Sequence, residues 1–169
     1  NNKDLYNKLL QLRDYGRRER PKKWPVKSYI VGYNSQMSTI NAAVLNIRLK
    51  KLNEYIDLRN RNAEIYKEIL FSKKIKFQHT LQEAKSAWRN FTIRVKNRNK
   101  IFDKLNSINP LVKLSYIPPN HMDKCYKNIK NNYDLRITEK TSSEIINLPC
   151  HQYMTPNNIK DLSRNVLRL

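Results

Sequence analysis

Residues 32–70 read GYNSQMSTINAAVLNIRLKKLNEYIDLRNRNAEIYKEIL, and this stretch decides the fold. Ile40, Ala43, Val44, Ile47, Leu52, Ile56, Ala63, Tyr66, Ile69 and Leu70 follow the spacing of one buried helical stripe. Ser38 stands where an N-cap belongs, and Asn41 takes the third helical position, where Glu or Gln would complete a capping box. The pattern predicts a long helix over 38–70, whose length implies a bend or a spine joining two lobes.

Upstream, Leu5, Leu9 and Leu12 lie three to four apart with Lys and Asp between them, which predicts a helix over 1–15. Gly16 follows, where a left-handed C′ residue would end that helix. The stretch Arg17 to Pro25 is charged, proline-bounded and aperiodic, and reads as a loop. Tyr29-Ile30-Val31 is a short strand or an extended arm ending at Gly32.

Downstream, Phe91, Ile93 and Val95 alternate with Thr92, Arg94 and Lys96, the period of a half-buried strand. Residues 100–107 read as a short helix. Val112, Leu114 and Tyr116 alternate as a second strand, stopped by Pro118-Pro119. Residues 133–147 are mostly helical, and Ile145, Ile146 and Leu148 lead into Pro149. Thr155-Pro156 opens a last helix, with Ile159, Leu162, Val166 and Leu169 on its buried side. Strands alternating with helices over 85–169 indicate a small α+β lobe.

The formal charge of +20 points toward anionic partners, because neutralised phosphates release counterions. Lys and Arg are spread over the whole chain, however, and Asn and Ile are also heavily used, as a coding bias acting everywhere would produce. Only two glycines occur, against about twelve at average usage. A phosphate cradle built on backbone amides needs glycines for positive φ and close approach. Such a cradle must come from elsewhere. Cys125 and Cys150 lie far apart without CxxC spacing, and three scattered histidines lack HxH or HExxH spacing, so neither pattern signals a metal site. The chain opens Asn1-Asn2 without an apolar leader, and no window reaches the length of a membrane span. Together these features predict a cytoplasmic protein.

The run Gly32-Tyr33-Asn34-Ser35-Gln36-Met37-Ser38, followed by Asn41-Ala42-Ala43, resembles the G-Y-N-x-R-M-x-x-x-Q-A-A element of the DegT/StrS sugar aminotransferases. Leu12-Arg13-Asp14-Tyr15-Gly16 is similar to that family's L-R-x-H-G element. Trp88 to Val95 resembles its aromatic strand, and Tyr116-Ile117-Pro118-Pro119-Asn120-His121 its Y-x-x-P-x-H element. Leu148-Pro149-Cys150-His151 with Met154-Thr155 resembles its L-P-x-H-x-x-L-T element.

The resemblance implies the C-terminal part of a fold-type I transferase dependent on pyridoxal phosphate (PLP), of α/β class. Its parts would be the tail of the large PLP domain and an active-site loop (1–37), a long linking helix (38–70), and a small C-terminal domain (71–169) in which helices cover a small sheet. It also implies a homodimer, or pairing with a separately encoded N-terminal half. The reaction would move an amino group from glutamate to a nucleotide-linked keto sugar, in cell-surface or antigen sugar biosynthesis. The Schiff-base lysine, in a segment like S-F-x-x-x-K, is expected upstream of residue 1. PLP is then not expected to bind this chain stably by itself, and no residue here is assigned a catalytic role.

The same resemblance makes Asn34 a ligand of the partner subunit's PLP phosphate, although Asn at a helix entry also satisfies its own backbone. Gln36, by the same resemblance a second candidate cofactor-binding residue, stands where the family has an arginine, and offers a neutral hydrogen bond in place of a charged fork. His121, His151 and Tyr116 are candidate substrate-binding residues, with structural roles for both histidines equally open. Ser115 replaces a histidine common before that tyrosine. The basic run at 17–23 with Trp24 reads as a solvated loop, a substrate-anion contact or, more weakly, a nucleic-acid patch. The alternative to an enzyme part is a non-catalytic remnant or a basic binding module.

Overall fold

Asn2 opens the first helix, α1 (Lys3–Arg13), by accepting the Leu5 amide on its side chain at 3.0 Å. The helix ends in a Schellman-type turn. The Gly16 amide returns to the Gln11 carbonyl at 2.8 Å, with Tyr15 at φ 52° and Gly16 at φ 75°. In this computed structural model, which describes residues 1–18, 26–71, 75–126 and 133–168, the chain forms two units, Asn1–Lys50 and Lys51–Leu169. Most of the predicted loop at 17–25 and Leu169 lie outside the described residues.

The predicted helix over 38–70 is two helices, α2 (Thr39–Lys50) and α3 (Leu52–Phe71), parted by a turn at Lys51. Ser38 caps α2 as expected, its hydroxyl accepting the Asn41 amide at 3.2 Å. Neither Gly nor Pro marks the break, so the apolar period runs across it unaltered. The stripe itself divides at the same place. On α3, Ala63, Tyr66 and Leu70 are fully buried, whereas on α2 Ile40 is 77% and Ile47 65% exposed. In the first unit no described apolar side chain is buried at all. Leaving a large aliphatic side chain in water forgoes about 1.5–3 kcal/mol. The stripe on α2 was expected to be buried, but nothing among the described residues covers it.

The second unit carries the core. Its sheet has the order β1 (Lys76–Phe77), β2 (Asn90–Arg94), β3 (Ile145–Pro149), all antiparallel, with Ile93 opposite Ile146 and Phe91 opposite Leu148. Alternation placed β2 correctly: Phe91 and Ile93 are fully buried. Helix α3 packs against the last helix, α6 (Pro156–Leu167), and α4 (Arg98–Ile108) touches both α6 and β3. Phe91 is the centre of an aromatic cluster, 4.9 Å from the Tyr66 ring, 5.5 Å from Trp88 and 5.6 Å from Phe77. The Tyr66 hydroxyl, fully buried, donates to the Pro149 carbonyl at 3.0 Å and ties α3 to the end of β3. Thr155 and Asn158 form the capping box of α6.

Two expectations fail here. Residues 112–116 are not a strand: only Lys113 pairs, with Asn147, before Tyr116 turns to φ 60°. The place beside β2 is taken by Ile145–Pro149, which follows helix α5 (Arg136–Glu144). Residues 146–150 are all buried, so their apolar run shows none of the alternation that reveals a one-faced strand.

Candidate functional site

The two glycines of the chain meet. A Cβ on Gly32 would lie 2.1 Å from the Gly16 nitrogen, and one on Gly16 would lie 1.7 Å from the Ile30 carbonyl oxygen. Only glycines let segments 12–16 and 29–35 approach this closely. The Tyr15 amide donates to Tyr33 (3.0 Å), Tyr33 to Leu12 (2.7 Å), Ser35 to Arg13 (3.0 Å) and Tyr29 to Gly16 (2.9 Å). This crossing holds Asn34 opposite Asp14 as an isolated bridge. The Asn34 side chain is exposed and has no hydrogen-bond partner among the described residues, so its amide is available to an outside group. Gln36 is placed differently. Its Nε2 donates to Asp14 Oδ1 at 2.5 Å, which spends the side chain inside the unit.

In the second unit, Tyr116 and Ser115 line a cavity of about 620 Å3 together with Ser86, Trp88, Arg89, Asn90, Thr92 and Asn147. Its floor is a polar relay: Thr92 Oγ1 donates to Asn147 Oδ1 at 2.7 Å, and Asn147 Nδ2 donates to Ser115 Oγ at 2.8 Å. Trp88 and Tyr116, at φ 38° and φ 60°, both sit in the left-handed region that aromatic residues rarely occupy. Each is fixed from behind. Trp88 Nε1 donates to Asn60 at 3.1 Å, and Ser142 Oγ donates to the Tyr116 carbonyl at 2.7 Å. Strained backbone held by its neighbours is common where a site is preorganised. Asn147 and Thr92 were not singled out in the sequence. The signal for Asn147 was a lone amide inside the apolar run Ile145-Ile146-Asn147-Leu148.

The histidines lie elsewhere. His121 Nε2–H donates to Glu139 Oε1 at 3.1 Å. His151 lines a separate cavity of about 370 Å3 with Tyr153, Asn158 and Asp161, its Nδ1 buried and unpartnered among the described residues while its carbonyl accepts from Asn62 at 2.9 Å. Tyr116 and His151 thus line different cavities, and His121 is engaged with Glu139. Cys150 is 1% exposed, and burial, only partly offset by the nearby Arg59, pushes its thiol up to about 11. It is a core thiol and a poor nucleophile.

A PLP site needs an amine that can lose its proton, which proteins obtain by burying a lysine or placing charge beside it. Among the described residues no lysine is buried; the half-buried Lys67 is paired with Glu64 at 2.7 Å and stacked 5.1 Å from the Trp88 ring. The described residues do not by themselves fit the cofactor. No group of three His, Cys, Asp or Glu that could hold a metal occurs among them, and no described helix is long and apolar enough to cross a membrane.

A small antiparallel sheet with α3, α4 and α6 against it, preceded by a coreless helical unit, is the architecture of the C-terminal part of aminotransferases. The DegT DnrJ EryC1 StrS aminotransferase from Brucella abortus superposes with a TM-score of 0.88 at 25% identity, over 99% of this chain and 44% of its own. Helicobacter pylori PseC, an aminotransferase involved in the biosynthesis of pseudoaminic acid, shares the fold at 0.89 and 21% identity, over 99% of this chain and 46% of its own. The DegT/DnrJ/EryC1/StrS aminotransferase family model matches residues 1–167, and the chain belongs to that family. The dTDP-3-amino-3,6-dideoxy-alpha-D-galactopyranose transaminase of Aneurinibacillus thermoaerophilus is 26% identical over 168 residues, 99% of this chain. The chain spans 45% of that relative's length.

Proposed function

We propose that this chain is the C-terminal part of a PLP-dependent aminotransferase that moves an amino group from glutamate to a nucleotide-linked keto sugar in cytoplasmic synthesis of surface polysaccharides. By itself it does not transaminate. The observation that carries this is the family match over 1–167 in a chain whose described residues hold no buried lysine. Residues 1–37 end the large domain, 38–70 link, and 71–169 form the small domain. The complete enzyme is a homodimer, or pairs this chain with a separately encoded N-terminal half. The unpartnered, exposed Asn34 amide supports a hydrogen bond to the phosphate of PLP held by the partner subunit. Tyr116, above the Thr92–Asn147–Ser115 relay, is the best placed substrate contact in the second unit. His121 and His151 are assigned to substrate on resemblance alone. Gln36, bound to Asp14, supports the crossing and contributes little to the cofactor.

The test joins this chain to the part of the A. thermoaerophilus transaminase that it does not cover. Glutamate formed from that enzyme's amino-sugar nucleotide and 2-oxoglutarate is then followed. Turnover by the chimera, with weakened PLP retention in Asn34→Ala, is the expected result. A chimera that retains PLP by its absorbance yet transfers nothing overturns the proposal.

A further inference from the structure

At the start of α4 a third cavity, of about 510 Å3, is lined by Lys96, Asn97, Arg98, Lys100 and Glu144 among others. Arg98 is only 8% exposed, and its Nε and Nη1 are buried with no hydrogen-bond partner among the described residues. A guanidinium stays charged in proteins, and burying one without a counter-charge is strongly unfavourable. The helix it begins is also bare. Asn97, at φ 54°, makes no side-chain cap, and the first turn of the 11-residue α4 holds no acidic residue. Its first amide to find a helical partner is that of Ile101, to the Asn97 carbonyl at 3.3 Å. Among the described residues the amides of Arg98, Asn99 and Lys100 are thus unpaired, at the positive end of the helix dipole. Glu144 also faces the cavity, but Arg94 holds its Oε2 through Nε (3.1 Å) and Nη2 (2.5 Å). That carboxylate is neutralised from the side of the sheet. Among the described residues Lys96, Arg98 and Lys100, which line the cavity, have no ion-pair partner.

We propose that this cavity is a binding site for a phosphate-type oxyanion, held by the Arg98 guanidinium and the first-turn amides of α4, with Lys96 and Lys100 at its mouth. Three amides and a guanidinium offer more donors than a lone carboxylate accepts, which favours a tetrahedral anion. The volume exceeds that of a bare ion, so the phosphoryl group of a larger molecule fits as well. The site lies wholly within the second unit and does not rest on the transaminase proposal.

The test is a titration of the 15N-labelled chain with inorganic phosphate and, separately, glycerol 3-phosphate, with chloride adjusted to hold ionic strength constant. Saturable shifts at the Asn99 and Lys100 amides and at Arg98 Nε are expected. Arg98→Met should weaken binding about tenfold or more, the loss of one charge-assisted donor set. Lys96→Gln with Lys100→Gln, both exposed, keeps the site testable if the Arg98 variant does not fold, and should weaken binding severalfold. Tighter binding of glycerol 3-phosphate assigns the site to a phosphoryl ester, and equal binding to the free ion. Shifts that do not saturate, or that persist unchanged in Arg98→Met or in the double lysine variant, overturn the proposal.

Discussion

Gly32→Ala tests how the first unit holds Asn34. The added Cβ would meet three backbone atoms: Gly16 nitrogen at 2.1 Å, Tyr15 carbonyl carbon at 2.6 Å and Gly16 Cα at 2.8 Å. No side chain can rotate away to make room. Ordinary contact is about 3.5 Å, so segments 12–16 and 29–35 must separate by about 1.4 Å. Hydrogen bonds now between 2.7 and 3.0 Å do not survive such a shift. Losing two or three of them, at about 1 kcal/mol net each, opens the crossing by about 2–3 kcal/mol. Native-state hydrogen exchange reads this directly. The Tyr15 and Tyr33 amides should exchange about 30–150-fold faster in the variant, with the Phe91 and Ile93 amides unchanged. Val31→Ala, at a side chain 90% exposed, should leave all four as they are. Unaltered protection at Tyr15 and Tyr33 in Gly32→Ala would refute the close approach and the placement of Asn34 built on it.

Tyr66→Phe removes the hydroxyl that donates to the Pro149 carbonyl and should cost about 1–3 kcal/mol in a urea melt followed by Trp fluorescence. Thiol labelling of the native chain should modify the exposed Cys125 quickly, with Cys150 reacting only on unfolding. Alkali should destabilise the second unit. Folding raises the Cys150 thiol from 9.0 to about 11, so its contribution is complete below pH 9 and is lost as pH climbs through 11. Tyr66, whose hydroxyl burial lifts far above its usual 10, adds a loss with the same sign above pH 10. The urea midpoint should therefore fall between pH 9 and 11, less steeply in Cys150→Ala.

Periodicity revealed those elements that are amphipathic within this chain. Alternation marked β2, and Thr155-Pro156 located the start of α6 to the residue, because caps and one-faced strands leave local signatures. It failed where burial is two-sided or local geometry is imposed by distant contacts. Residues 146–149 are all buried and show no alternation, while Tyr116 is bent out of a strand that its neighbours' spacing suggests. The α2 stripe was legible as apolar, but no local pattern says whether the covering surface belongs to the same chain. At the site, the run around Asn34 stood out only by its resemblance to a family element, and no local pattern shows that Gly32 meets Gly16. The Thr92–Asn147–Ser115 relay was not, since it joins residues from three separated segments. Arg98 looked like one basic residue among 34, and only its burial sets it apart.

The described residues of this DegT/DnrJ/EryC1/StrS family member hold no buried lysine of the kind that would bind PLP. The direct measurement is borohydride reduction of the purified chain with equimolar PLP, followed by peptide mass mapping. Scattered, substoichiometric labelling of exposed lysines and no stable aldimine absorbance are the expected result. A single lysine carrying close to one pyridoxyl group per chain would contradict it.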